Sequence, residues 1–192
     1  DAVRIVELGF HTLKAHIGYK SPKEDYTRIQ AIRKAIGYEI ELMIDLKGKT
    51  YFITGVANKK SVAYFSAKAL LQAGAECIFS AQNEKNLEKI GKLFPGKKAF
   101  LLDVESPEQL KELKNNIGVE LDGFLHSIAF ANFSEGPKPF HETKLKDYLQ
   151  ACHISSFSLV QISNELKDLL KDNASVVTIS ISNTLATSYG YL

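Results

Sequence analysis

The chain has 192 residues, 45% of them hydrophobic and 24% charged, enough for one domain with a substantial core and too apolar for a mainly disordered chain. Its 24 basic and 22 acidic residues are interleaved and leave a net charge of +2, so no nucleic-acid partner is expected. No apolar run approaches the roughly 20 residues that span a bilayer, which removes a membrane-spanning helix from consideration.

In chain order, residues 10–17 alternate as a strand. Leu13, Ala15 and Ile17 fall on one face, and Thr12, Lys14 and His16 on the other. Ser21 can cap a following helix, Pro22 suits its first position and Glu24 can close a capping box. Ile29, Ile32 and Ile36 give that helix an apolar stripe, and Gly37 is its natural stop. A strand at 40–46 completes a βαβ unit. After Lys47-Gly48-Lys49 the alternation continues, with a strand at 50–54, a helix at 61–73, a strand at 76–80 and a polar helix through Asn86 and Leu93. A strand at 98–102, a helix at 107–117 and an apolar strand at 121–128 follow. A Gly- and Pro-containing loop then runs to Phe140. One or two helices cover 145–170, and a final buried strand is expected at 174–181.

Such alternation predicts an α/β fold, a doubly wound, Rossmann-like parallel sheet covered by helices on both faces, with an extra N-terminal βα(β) unit. That unit is expected to add a strand to an open edge of the main sheet. Cys77 and Cys152 lie far apart, each in an apolar stretch, and read as buried free thiols with neither metal spacing nor a disulfide framework. No basic-then-apolar leader is present, so a cytoplasmic location is expected.

The loop after residue 54 carries chemistry. Gly55 closes a strand, and a polar turn leads into a helix beginning near Ser61, whose N–H groups and dipole can receive a pyrophosphate. The three-glycine dinucleotide pattern is absent, since Ser61 and Ala63 stand where later glycines would be.

From about Met43 onward the chain resembles the enoyl-acyl-carrier-protein reductases of the short-chain dehydrogenase/reductase superfamily. The resemblance rests on Leu46-Lys47-Gly48-Lys49, the run from Ile53-Thr54-Gly55 to Val62-Ala63-Tyr64, Gln82-Asn83-Glu84 and Leu102-Asp103-Val104. It continues through Asp122-Gly123-Phe124-Leu125-His126-Ser127-Ile128-Ala129 and His153-Ile154-Ser155-Ser156. The resemblance implies an oxidoreductase of fatty acid biosynthesis that uses NADH to reduce an enoyl thioester carried on acyl carrier protein. A homo-oligomer is compatible with it.

Gly55, Ser61 and Val62 would touch the phosphates and ribose. Gln82, Asp103 and Val104 would frame the adenine, and Ser127, Ile128 and Ala129 the nicotinamide side. No arginine directly follows the second strand to receive a 2′-phosphate, which favours NADH over NADPH. Tyr189 is the candidate catalytic tyrosine and Tyr191 its rival. The lysine that the family places downstream of that tyrosine would fall beyond Leu192. Ile179 or Ile181 occupies the position of the family's second active-site tyrosine. A polypeptide of these residues alone is therefore expected to lack reductase activity.

The first 45 residues are similar to a piece of the enolase superfamily, in particular mandelate-racemase-like barrels. The match runs over Glu7-Leu8-Gly9-Phe10, Lys14-Ala15-His16-Ile17-Gly18-Tyr19, Ile32-Arg33-Lys34-Ala35-Ile36-Gly37 and Leu42-Met43-Ile44-Asp45. His16 replaces the second lysine of that family's pair. Asp45 alone cannot hold Mg²⁺, which needs ligands from several strands, so no metal site is expected. The organisation read from the sequence is thus a chimera, with a barrel-like βαβ fragment at 1–45 and a dinucleotide-binding domain at 46–192. It leaves open a recombined α/β protein without catalytic function, and a racemase or dehydratase fragment.

Overall fold

The computed structural model describes residues 2–9, 11–16, 22–136 and 139–180. A short helix, α1 (Ala2–Glu7), precedes strand β1 (Thr12–His16), helix α2 (Pro22–Ile36) and strand β2 (Glu41–Asp45). Strands β1 and β2 run parallel, with Leu13 opposite Leu42 and Ala15 opposite Ile44. The expected βαβ unit is present. Leu13 and Ala15 are buried while Thr12 and Lys14 are exposed, as the alternation required. Leu13, Ile36 and Ile40 form a small core of their own, against which Ala2 and Val6 of α1 pack. Helix α1 was not expected, because six residues do not complete an amphipathic repeat.

This unit makes a separate two-stranded sheet and does not lengthen the larger one, which corrects the expectation of edge addition. Only a tight turn separates β2 from the next strand, and the Leu46 N–H donates to the Ala73 carbonyl at 2.7 Å. The residue after β2 is therefore tied to a helix terminus.

The larger sheet holds β3 (Thr50–Ile53), β4 (Glu76–Ala81), β5 (Ala99–Leu101), β6 (Leu121–His126) and β7 (Leu170–Thr178), in the order β5-β4-β3-β6-β7. Every pairing is parallel. Helices α3 (Val62–Gln72) and α4 (Glu84–Leu93) cover one face, where Ala63, Ala67, Ile90 and Phe94 meet Ile53, Phe79 and Leu125. Helices α5 (Pro107–Lys111), α6 (Leu113–Ile117) and α8 (Ser158–Leu166) cover the other, where Leu110, Leu113, Ile162 and Leu166 meet Phe52, Ile78 and Phe124. Phe52 stacks between Phe100 and Phe124, at centroid distances of 5.8 and 5.5 Å. The sheet is doubly wound.

Several expected elements differ in detail. The helix at 107–117 is two short helices, α5 and α6, meeting at Glu112. The helical stretch from 145 is α7 (Leu145–Cys152), a π-helical turn (His153–Phe157) and α8, ending at Leu166 rather than Leu170. The last strand begins earlier, at Leu170, and Val176 and Val177 on it are half-exposed, where a buried strand was expected. Among the described residues β7 has a partner only on its β6 side. Cys77 is buried, but Cys152 is exposed, because the α7 helix turns it away from the core.

Candidate functional site

The polypeptide leaves β3 at Thr54, whose hydroxyl donates to the Leu125 carbonyl at 3.0 Å and accepts the Ser127 N–H at 3.1 Å. This buried staple ties the carboxyl ends of β3 and β6 together. Gly55 follows with φ +77°, and an ideal Cβ there would lie 1.8 Å from the Ser127 carbonyl oxygen. Only glycine allows the two strand ends to approach this closely. The turn then reaches Ser61, the N-cap of α3, which accepts the Tyr64 N–H at 3.3 Å and donates to the Asn58 carbonyl at 2.8 Å. The eleven-residue α3 directs the positive end of its dipole into this turn. Ala63, standing where the three-glycine pattern would have a later glycine, is fully buried and small enough to let α3 lie close on the sheet.

Strand β4 ends at Ala81 and hands over to Gln82, followed by Asn83, which caps α4 by accepting the Asn86 N–H at 3.0 Å. Beyond β5, Asp103 makes a tight turn. Its carboxylate accepts the Glu105 N–H at 3.0 Å, and its own N–H donates to the Gln109 side chain at 2.7 Å. Beyond β6, residues 127–130 extend over the π-helical turn.

These four strand ends surround a cavity of about 270 Å³ at the carboxyl edge of the sheet. Of the residues picked out from the sequence, Gly55, Gln82, Asp103, Val104, Ser127, Ile128 and Ala129 line it. Ser61 and Val62 do not line it, and the Ser61 hydroxyl is engaged in capping α3. Ser127 lies on the strand next to β3, while Asp103 lies two strands away, across β4. Tyr189, Tyr191 and Ile181 lie outside the described residues. Ile179 is exposed, and its N–H donates to the His126 carbonyl at 3.1 Å.

Sequence reasoning did not pick out the other eight lining residues, among them Asn86, Phe130 and Ile154. Asn86 could have been found from its position in the first turn after β4. Ile154 carries no such signal, since the irregular π-helical turn delivers it.

The site fits a nucleotide-bearing cofactor. Apolar Val104, Ile128 and Ile154 suit the faces of a base, while Asp103, Gln82 and Ser127 supply a carboxylate, an amide and a hydroxyl for ribose or base edges. Its volume lies just below the ~300 Å³ at which small-molecule pockets usually begin, which suits one nucleoside half. Among the described residues no lysine or arginine lines it.

Just behind the wall, His126 is 1% exposed and engaged at both ring nitrogens. Nε2 lies 2.7 Å from the Ser158 hydroxyl and Nδ1 3.2 Å from that of Thr178. Ser158 donates its own proton to the Ile154 carbonyl at 2.7 Å, so Nε2 carries the imidazole hydrogen and Nδ1 accepts. Burial pushes this imidazole below its ordinary value of 6.5, against a backbone hydrogen bond that favours the charged form.

In the N-terminal unit, Lys14 Nζ pairs with Asp45 Oδ2 at 2.9 Å. Among the described residues no group of three His, Cys, Asp or Glu is placed to hold a metal ion. No helix among them is long and apolar enough to cross a membrane.

Comparison with known proteins agrees with this fold. The family described as Enoyl-(Acyl carrier protein) reductase matches residues 55–191, and one described as Enolase C-terminal domain-like matches residues 1–73. The enoyl-[acyl-carrier-protein] reductase [NADPH] FabI of Staphylococcus aureus is 37% identical over 143 residues, which are 70% of this chain and 56% of that protein. The corresponding [NADH] FabI of Buchnera aphidicola is 37% identical over 142 residues, 70% of this chain and 55% of its own. Among solved structures, the enoyl-[acyl-carrier-protein] reductase (NADH) of Aquifex aeolicus superposes with a TM-score of 0.65 at 32% identity, over 69% of this chain and 56% of that one. FabI of Candidatus Liberibacter asiaticus reaches 0.72 at 30% identity, over 78% and 60%. The chain spans about half the length of the curated relatives it matches. With a match over most of its length and a parallel sheet of the same construction, the chain belongs to the enoyl-(acyl carrier protein) reductase family.

Proposed function

We propose that residues 46–192 bind a nicotinamide adenine dinucleotide as the cofactor-binding part of an NADH-dependent enoyl-acyl-carrier-protein reductase, a cytoplasmic enzyme of fatty acid synthesis. The observation that carries this reading is the cavity where the ends of β3, β4, β5 and β6 converge, with Gly55 at the mouth of a helix N-terminus. Gly55 in the cavity, with the backbone of Ser61 and Val62 beyond it at the start of α3, receives the diphosphate and its ribose, Gln82, Asp103 and Val104 hold the adenosine half, and Ser127–Ala129 orient the nicotinamide side. The preference for NADH rests on a lining with no cationic side chain among the described residues, since a 2′-phosphate calls for one. The relatives themselves divide between NADH and NADPH.

When bound, the nicotinamide supplies a hydride to the enoyl thioester. The protein's task is then to stabilise and protonate the resulting enolate, and Tyr189, with Tyr191 as the alternative, carries the hydroxyl for it. The 192 residues include no lysine after either tyrosine. Positioning and electrostatic groups of this kind are each typically worth about 10²–10⁴ in rate. A polypeptide of these residues alone should therefore bind NADH and yet not turn over. Saturable NADH fluorescence in the micromolar range is the expected result, and no binding up to millimolar NADH overturns the reading. Enoyl reduction, followed as NADH oxidation with a crotonyl thioester, should stay at background. Turnover that Tyr189→Phe abolishes would overturn the inactivity.

A second reading concerns the first 45 residues, which we take as a barrel-derived unit joined to the reductase part. Its separate sheet, its separate core and a second family match, over residues 1–73 and overlapping the reductase match at 55–73, favour a chimera. Residues 46–192 made alone should keep the NADH affinity of the whole. Loss of both fold and affinity would show the two parts to be one unit.

A further inference from the structure

The cavity wall at residues 127–129 is strung between two anchors, and both come from the same irregular stretch of helix. At one end is His126, held through Nε2 by the Ser158 hydroxyl at 2.7 Å. At the other is Phe130, whose N–H donates to the Ser155 hydroxyl at 2.9 Å while its carbonyl accepts from the same hydroxyl at 3.1 Å. A single side chain thus satisfies both backbone groups of Phe130, as a neighbouring strand would. The π-helical turn His153–Phe157, which carries Ser155 and leads into Ser158, also places Ile154 into the cavity floor at 5% exposure. A regular helix would carry one residue fewer over this stretch and could not keep both serines and Ile154 in register with the wall.

We infer that Ser155 is a positioning residue for the nicotinamide side of the cofactor site, fixing the wall Ser127–Ala129 by clamping the backbone of Phe130. The inference rests on the cofactor-binding reading above. Ser155 itself does not line the cavity, so it acts only through the wall. Its hydroxyl spans residues 25 positions apart in the chain, which makes the contact tertiary and not part of local helix capping.

The test compares wild type with Ser155→Ala and Ser155→Thr, measuring affinity for NADH by fluorescence and for ADP-ribose, which lacks the nicotinamide, by calorimetry. Without the clamp the wall must be ordered when the cofactor binds, which should weaken NADH binding by roughly tenfold in Ser155→Ala. ADP-ribose affinity should stay within about twofold, and Ser155→Thr, which keeps the hydroxyl, should restore NADH binding. A purely structural role would weaken both ligands together, or neither. Equal NADH affinity in wild type and Ser155→Ala overturns the inference alone. A wild-type chain that binds neither ligand overturns the cofactor reading and the inference with it. Amide hydrogen exchange at Phe130 checks the clamp on wild type without any variant. Protection is expected, and free exchange there overturns the inference even if Ser155→Ala fails to fold.

Discussion

An ideal Cβ on Gly55 would stand 1.8 Å from the carbonyl oxygen of Ser127, so the turn after β3 and the end of β6 are in backbone-to-backbone contact. The Thr54 staple holds them there from inside. The cavity's shape depends on this contact, because both residues line it.

Gly55→Ala should accordingly cost more than backbone strain. A non-glycine residue at positive φ costs about 1–3 kcal/mol, and here the methyl must also push β6 away. Gly96→Ala is the matched control, with φ +76° and nothing within 4 Å of the added carbon. Urea unfolding should show a larger loss for Gly55→Ala than for Gly96→Ala, and only the former should abolish NADH binding. Equal losses would mean that strain alone matters.

His126 makes the fold sensitive to mild acid. Its imidazole titrates below its ordinary value of 6.5 in the folded protein, because burial disfavours the charged ring. Below about pH 6.5 the unfolded chain therefore binds a proton that the folded chain resists. This contribution is complete above that pH and declines as pH falls, by at most about 1.4 kcal/mol per pH unit. His126→Gln keeps a polar side chain between Ser158 and Thr178 and removes the titration. Its unfolding free energy should fall less than that of wild type between pH 7.5 and 5.5. Parallel curves would remove His126 as the cause.

Asp122 joins three strands at the opposite edge of the sheet. Its carboxylate receives Lys49 Nζ at 3.1 Å and the Thr50 N–H at 3.0 Å from the start of β3, and Lys171 Nζ at 2.8 Å from β7. Burial alone would raise the pKa of this carboxyl, but these donors outweigh it and hold it below the ordinary 3.8. The stabilisation is present above about pH 4 and is lost as pH falls through the lowered value. Asp122→Ala leaves two ammonium groups and an N–H without this partner. It should cost about 2–4 kcal/mol at pH 7, and this cost should shrink as pH is lowered from about 4, as measured by urea midpoints. A loss that does not change with pH would point to packing instead.

The two thiols should separate cleanly. Burial pushes Cys77 up to about 12, so it is protonated and shielded at neutral pH, whereas Cys152 is exposed on α7. A disulfide reagent at pH 8 should titrate one thiol in the native protein and two in denaturant. Cys152→Ser should leave none in the native state.

The sheet, its winding and about half of the cavity lining were legible because each rests on local signals. Apolar runs at strand length alternate with capped helices, and Gly55, Asp103 and Ser127 stand just past strand ends, where ligands gather in such folds. Helix Glu84–Leu93 could be placed from its polar pattern, and the structure adds its Asn83 cap. What escaped depends on which way an element turns or on a partner far along the chain. Cys152 sits among Leu149, Ala151 and Ile154, but helical rotation brings it to the outer surface. The valines of β7 read as buried, since β-branched runs usually are, yet burial needs cover on both sides of the strand. The π-helical turn, and with it the roles of Ile154 and Ser155, follows from fitting one extra residue into a helix. No periodicity announces that.

Strand β3 lies at the middle of the sheet although it is made early, and this sets a timetable for synthesis. Phe52 pairs with Ile78 on one side and with Phe124 on the other, and its shelter includes Ile162 and Leu166. As the chain emerges from a ribosome, β3, β4 and β5 can assemble first, but β3 remains an open edge until β6 has been delivered. Its central phenylalanine stays uncovered still longer, until α8 arrives. All-parallel sheets complete slowly for this reason, and the half-built intermediate presents a pairing edge and an aromatic surface together. A fully buried residue of the central strand thus waits for its cover until one of the last helices has been made.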